Sequence, residues 1–234
     1  MKKVVIILQA RTGSTRFPKK VLSLIDHESL LSHCIKRLKK IDNQVPVIVA
    51  TTHQKDDDEI VNIANLEKVV YYRGSEADVL DRYYKAAIKL KAEYIIRATA
   101  DNPLVDIDEA RRLIIELKSG NWDYISMVEN VEDKCLPIGV GLEGFTIEAL
   151  ENSHRNALLS HQREHVNPFY LENKSHFNIK QMKCKDYNSC PKLRLTIDTE
   201  EDLVFIKKIA IYFGDGFNKL KTKEIIDWWK AKAI

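Results

Sequence analysis

The chain has 234 residues, 44% of them apolar and 30% charged, an ordinary globular composition that excludes a largely disordered protein. Lys and Arg number 37 against 34 Asp and Glu, leaving +3, so no strong field argues for a general nucleic-acid binder or a membrane-surface binder. Basic and aromatic residues do not interleave along one face either, and no apolar run approaches the roughly 20 residues of a membrane span.

The length predicts a single domain, 1–234, with a core large enough to need no disulfide or metal staple. The opening Met1-Lys2-Lys3 and the apolar residues after it have the outline of a leader. The apolar stretch is short, no small-residue cleavage site follows, and Arg11 and Arg16 interrupt it, so the expectation is a cytoplasmic protein. Cys34, Cys135, Cys184 and Cys190 contain no C-x-x-C pair and read as reduced structural thiols rather than zinc ligands.

In chain order, Val4 to Leu8 is a continuous apolar run, the pattern of a strand buried on both faces. Leu30 to Leu38 has helical spacing, Val45 to Ala50 reads as a strand, and Asp56 to Ala64 as a helix with acids at its start. Strand Val69 to Tyr72, helix Ala77 to Leu90, strand Tyr94 to Arg97 and helix Ile107 to Leu117 follow. This alternation predicts an α/β fold, a mostly parallel sheet with helices on both faces. After Gly120 the pattern becomes mixed α+β. Strands are expected at Trp122 to Met127, in the glycine-punctuated Pro137 to Gly144 region, at Phe177 to Met182 and at Leu193 to Thr196. Helices are expected over Ala149 to Leu171, in two pieces split near Ser160, and at Glu200 to Tyr212 and Thr222 to Lys230. The pattern divides the chain into a regular α/β part (1–120), a mixed part (121–198) and C-terminal helices (199–234).

Four segments follow strands, at the edge where open parallel sheets bind ligands. The first, Gln9 to Lys20, has one glycine, three small hydroxyl residues and the cations Arg11, Arg16, Lys19 and Lys20. Hydroxyls and backbone N–H groups can surround phosphate oxygens while the cations neutralise them, so a polyphosphate is the expected ligand over a merely solvated basic loop. Neither a Walker loop nor a dinucleotide fingerprint is present. In the second, Arg97 to Leu104, Asp101 reads either as a Mg²⁺ ligand beside bound phosphates or as a turn or cap residue before Pro103 and the helix near Asp106. In the third, Thr199 is the expected helix N-cap, and Asp198 reads as a turn residue or as a second carboxylate for the same cation. The fourth, Arg73 to Arg82, sits at a helix start and suits an anion or a base edge, with Arg73 and Arg82 as possible contacts.

Other features argue for nothing catalytic. His161 and His165 stand four apart without H-E-x-x-H or an evident partner acid, and Ser14 is not in a G-x-S-x-G elbow. Trp228 and Trp229 are expected to pack the last helix onto the body, and the lysines at 39–40 and 219–223 to be solvated.

Taken together, Gln9-Ala10-Arg11 to Lys20, Ala50-Thr51-Thr52, Arg73-Gly74-Ser75 with Asp78-Val79-Leu80, Asp101-x-Pro103-Leu104, Arg163-Glu164-His165-Val166-x-Pro168 and Asp198-Thr199-x-Glu201-Asp202 resemble the sugar cytidylyltransferases. That superfamily includes the 3-deoxy-manno-octulosonate and acylneuraminate enzymes, and the resemblance is nearest to the branch of spore-coat polysaccharide biosynthesis. It runs from about Val4 to Asp202. It implies a Rossmann-like nucleotide-diphospho-sugar transferase fold and transfer of CMP from CTP to a sugar or sugar acid, with Mg²⁺ as cofactor and a homodimer as assembly. Arg11, Lys20 and Asp101 are the implied catalytic residues, and Asp101 and Asp198 the implied metal ligands. The implied nucleotide contacts are Leu8, Gln9, Ala10, Arg11, Thr12, Gly13, Ser14, Arg16 and Lys20 of the first loop, with Thr51, Arg73, Gly74, Asp78, Arg82 and Thr99. The implied acceptor contacts are Arg97, Pro137, Gly139, Glu143, Arg163 and His165, and the resemblance makes 1–120 the nucleotide-binding half and 121–198 the acceptor and dimerisation region. Two departures stand out. Phe17-Pro18-Lys19-Lys20 replaces the usual Leu-Pro-Gly-Lys, and Ile138 and Gly141 stand where the branch often carries carboxylates. The alternatives are a pyrophosphorylase using another nucleotide with a sugar 1-phosphate, and a non-catalytic nucleotide-binding protein.

Overall fold

The computed structural model describes residues 3–128 and 135–232. Residues 129–134 of the expected acceptor region, and 1–2 and 233–234 at the ends, lie outside the described residues. The elements are β1 (Val4–Gln9), a short hairpin β2 (Leu24–Ile25) and β3 (Glu28–Ser29), α1 (Leu30–Lys39), β4 (Val47–Thr52), α2 (Asp58–Leu66), β5 (Val70–Gly74), α3 (Val79–Lys89), β6 (Tyr94–Thr99), α4 (Ile107–Lys118), β7 (Tyr124–Ser126) and β8 (Glu143–Thr146). There follow α5 (Ile147–Asn156), α6 (Ser160–His165), α7 (Pro168–Glu172), β9 (Ile179–Gln181), α8 (Glu200–Phe213) and α9 (Thr222–Lys232).

Seven strands form one sheet in the order β5-β4-β1-β6-β8-β7-β9. The first four are parallel to one another, β8 is antiparallel to β6 and β7, and β9 is parallel to β7. The α/β class, the mostly parallel sheet and the mixed second half are therefore as the pattern predicts. The continuous apolar run of β1 has its physical reason here. Val4, Ile6 and Leu8 face one core with Leu30, Leu31 and Leu113, while Val5 and Ile7 face a second core with Leu80, Tyr83 and Leu150. Helix starts follow side-chain caps: Ser29, Asp78, Asp106, Thr146 and Thr199 each accept a bond from the backbone N–H three residues on. No described helix is long and apolar enough to cross a membrane.

Two local expectations are corrected, and one element carries no sequence signal. Leu193 to Thr196 is not a strand. Among the described residues it makes one parallel bridge, Ile138 to Arg194, where Ile138 N–H to Leu193 O (2.9 Å) and Leu195 N–H to Ile138 O (2.7 Å) link the two segments. The helical stretch from Ala149 to Leu171 breaks into three pieces, α5 to α7, with Pro168 opening the last. The hairpin β2–β3, two residues per strand with Asp26 at φ 57° in its turn, was too short to leave a period.

Candidate active site

Gln9, the last residue of β1, pairs with Ala50 of β4 on one side and Thr99 of β6 on the other. The loops after these three strands therefore leave the sheet at the same edge, where the strand order turns back across β1. The loop after β1 and the turn after β6 enclose a cavity of about 360 Å³ there, lined by Gln9, Ala10, Arg11, Ser14, Arg16 and Lys20 on one side and Thr99, Asp101, His165 and Asp198 on the other.

Lys20 joins the parts. Its Nζ donates to Asp101 Oδ2 (3.0 Å), to the Ile197 carbonyl (2.8 Å) and to Asp198 Oδ1 (3.2 Å). Two acids far apart in sequence thus meet on one ammonium, and the late segment is fixed there because Ile197 N–H donates to the Asp101 carbonyl (2.9 Å). Asp101 Oδ1 accepts from the Thr99 hydroxyl (2.6 Å), so the carboxylate is aimed rather than free to rotate. The helix cap that Asp101 was offered as an alternative is filled by Asp106. Burial works against the charge of Asp198, but Lys20, Arg194 and Arg16 outweigh it and hold its carboxyl below the ordinary range. Thr199 caps α8 as expected, and Asp202 returns its oxygen to the Thr199 N–H.

The remaining cations of the loop also face acids. Arg11 lies 3.8 Å from Glu76 and 3.9 Å from Glu164, Arg16 lies 3.0 Å from Asp198, and Lys19 lies 3.3 Å from Asp56. Glu76 and Glu164 were not among the residues singled out in the sequence. Glu76 lies within the segment Arg73 to Arg82 and Glu164 within the quoted Arg163 to Pro168, and that placement was their only signal. Thr12 and Gly13 line a neighbouring depression of about 290 Å³ with Glu76 and Asp57. Leu8 and Thr51 lie fully buried below the loop.

The fourth segment is placed differently. Arg73 donates to the Thr52 and Gln54 carbonyls (both 2.7 Å) and to Asp58, tying β5 to the start of α2. Arg82 is fully buried against Gly74 and donates Nη1 to the Ser75 carbonyl (3.0 Å), while its Nε and Nη2 have no hydrogen-bond partner among the described residues. Asp78 both caps α3 and receives a forked contact from Arg163 (3.0, 3.1 and 2.5 Å). Arg73, Gly74, Asp78, Arg82 and Arg163 line neither cavity of the site. Their bonds go to the segments after β4 and β5 and to the end of α5.

A second cavity of about 310 Å³ shares Arg97, Thr99 and Asp101 with the first and is lined by Pro137, Gly139, Gly141 and Glu143. Arg97 and Glu143 are opposite residues of β6 and β8, and Glu143 also accepts from the Tyr124 hydroxyl and from Asn167 (2.9 Å). Gly139 has φ 94°, and a Cβ there would meet Thr196 N at 2.6 Å. A Cβ at Gly141 would meet the Met127 carbonyl at 2.5 Å, so the backbone leaves no room at 141 for the carboxylate that the resemblance leads one to expect. The histidines have acid partners in space that the sequence did not reveal: His154 with Asp81 (2.9 Å) and His161 with Glu172 (2.6 Å). Trp228 packs among Phe205, Tyr212 and Phe213 as expected. A groove of about 900 Å³ between the end of α1 and α4 holds none of the site residues.

Known proteins give this geometry a context. The family described as Cytidylyltransferase matches residues 5–229. An uncharacterized protein of Methanocaldococcus jannaschii is 38% identical over 226 residues, covering 97% of this chain and 90% of that one. The spore coat polysaccharide biosynthesis protein SpsF of Bacillus subtilis is 30% identical over 221 residues, covering 92% and 89%. A solved cytidylyltransferase of Leptospira borgpetersenii superposes with a TM-score of 0.91 at 30% identity, over 100% of this chain and 96% of that one.

Proposed function

The chain belongs to the cytidylyltransferase family, and from that premise we propose that it transfers CMP from CTP to a sugar or sugar acid, releasing pyrophosphate, in the making of a surface polysaccharide or glycan. The observation that carries the reading is the meeting of Asp101, Asp198 and Lys20 beside the loop after β1. In it the acceptor oxygen attacks the α-phosphorus, the bond to the β-phosphate breaks, and pyrophosphate leaves with that electron pair. Arg11, Arg16 and Lys20 bind the phosphates, exchanging the carboxylates they now face for phosphate oxygens. Gln9, Ala10, Ser14, Thr99 and His165 line the nucleotide cavity, and the contiguous cavity, which shares Arg97, Thr99 and Asp101 with it, takes the acceptor.

Asp101 and Asp198 fit Mg²⁺ by the chemistry of their oxygens. Among the described residues no third Asp, Glu, His or Cys completes a cluster, which suits an ion that keeps phosphate oxygens and water in most of its positions. Mg²⁺ held by these two carboxylates supplies neutralisation of charge on the phosphates. Positioning by the loop supplies most of the rest. The same reading takes the protein as a cytoplasmic homodimer.

The test is pyrophosphate release from each of the four nucleotides with a panel of neutral, acidic and phosphorylated sugar acceptors. CTP is expected to be the donor, and Asp101→Ala to lower turnover by about 10²–10³ with the fold intact. Release from a different nucleotide with a sugar 1-phosphate overturns the choice of CTP. Wild-type turnover by Asp101→Ala overturns the metal assignment.

A further inference from the structure

Asp57 is 1% exposed and belongs to none of the groups assigned to nucleotide, acceptor or metal above. A buried carboxylate is costly unless its oxygens are satisfied, and this one is satisfied almost wholly by one small set of groups. Oδ1 accepts from the Thr12 N–H (2.8 Å) and the Thr12 hydroxyl (2.6 Å). Oδ2 accepts from the Thr51 hydroxyl (3.0 Å), the Thr52 N–H (3.2 Å) and the Thr52 hydroxyl. One side of the carboxylate therefore grips the end of β4, and the other grips the loop after β1.

Thr12 passes the grip on. Its carbonyl accepts from the Ser14 N–H (2.9 Å) and from the Lys19 N–H (2.9 Å), so one residue fixes both limbs of the loop. The second limb leads directly into Lys20, whose ammonium reaches Asp101 and Asp198. Burial opposes the charge of Asp57, yet the Thr12, Thr52 and Thr51 bonds outweigh it and hold the carboxyl below its ordinary value. A helix-starting acid needs none of this, and Asp57 makes no side-chain cap bond to α2.

We propose that Asp57 is a positioning residue for the phosphate loop: acting through Thr12, it holds residues 12–20 in the one conformation that presents their N–H groups, hydroxyls and cations to a polyphosphate. It touches no substrate itself. The proposal rests on the reading of that loop as the triphosphate site, but it concerns the loop and not the choice of base or acceptor.

The experiment separates the two. Inorganic tripolyphosphate binding is measured by calorimetry, and hydrogen exchange of the amides at 11–20 is followed, for wild type, Asp57→Asn, Thr12→Val and the double variant. Asp57→Asn is expected to weaken tripolyphosphate binding about tenfold and to speed exchange across 12–20, while the exchange of β1 and β4 stays slow. Thr12→Val is expected to act in the same direction, and the double variant to bind little worse than Asp57→Asn, since both remove one linkage. With nucleotide, the same variants are expected to raise KM for the nucleotide more than they lower kcat. Unchanged tripolyphosphate binding and loop exchange in Asp57→Asn, or fully additive losses in the double variant, overturn the proposal. Should Asp57→Asn fail to fold, Thr12→Val decides alone, and wild-type binding by it overturns the proposal. Wild type that binds tripolyphosphate through an ordered loop yet turns over no nucleotide overturns the proposed function and leaves Asp57 in place.

Discussion

Lys20 is only partly accessible, with its side chain 11% exposed, and it lies between carboxylates that would otherwise repel each other. In the ligand-free protein the ammonium therefore does the neutralising that a divalent cation would share once nucleotide is bound. Lys20→Met removes that internal counter-ion. It is expected to lower turnover by about 10²–10³ and, in the absence of nucleotide, to bind Mn²⁺ at lower concentration than wild type, read by water-proton relaxation. Equal Mn²⁺ binding by the two proteins means that Lys20 and the metal do not compete for these carboxylates. Its neighbour Lys19 accounts for one departure from the family pattern. Lys19 has φ 57°, the left-handed conformation that favours glycine, the residue that the resemblance leads one to expect there, and a non-glycine residue costs about 1–2 kcal/mol. The ion pair of Lys19 with Asp56 is well exposed on both sides and offsets little of that.

At the scale of elements, what was legible was what is local. The unbroken apolar run of β1, the cap at Thr199 and the alternation of strand and helix through α4 are written in neighbouring residues. The partnership of Arg97 with Glu143 is not, because it depends on the register of β6 against β8, and an intervening helix, a strand and irregular chain separate the two in sequence. Nor was the short β2–β3 hairpin legible, nor the break of Leu193 to Thr196, where two bonds to Ile138 stand in for a ladder. Glu143 has a side chain 3% exposed, and Arg97 is 18% exposed. Burial disfavours the Arg97 charge, but Glu143 more than offsets this and keeps the guanidinium protonated. Removing one partner strands a buried charge, so Glu143→Met is expected to destabilise the fold by about 3–5 kcal/mol, and Arg97→Met with Glu143→Met to recover a large part of that loss. Urea midpoints of the single and double variants measure it. Additive losses mean that the two side chains act independently. Activity should remain low in the double variant even where stability returns, since Arg97 lines both cavities.

For the whole molecule, the late segment, the turn after β6 and the loop after β1 are closed on one another by ionised groups, and that has a consequence for stability. Asp57, Asp198 and Asp202 each suffer from burial, yet their donors and cations hold all three below the ordinary aspartate value of 3.8. A carboxyl with a depressed folded value binds its proton more tightly in the unfolded chain. As the pH falls, the unfolded state takes up protons first and unfolding is favoured. The stability these groups contribute is therefore fully present well above pH 3.8 and is lost as the pH drops through the lower folded values. Urea midpoints are expected to change little on this account between about pH 7 and pH 5 and to fall steeply below about pH 4. Asp198→Asn carries no titrating carboxylate at that position, so its midpoint should begin lower and fall less over the acid range. High salt should shrink the difference only modestly, because the Lys20 contacts are largely shielded from solvent. An acid limb as steep in Asp198→Asn as in wild type would mean that the closure around Lys20 is not what acid dismantles, and that other carboxylates govern the transition.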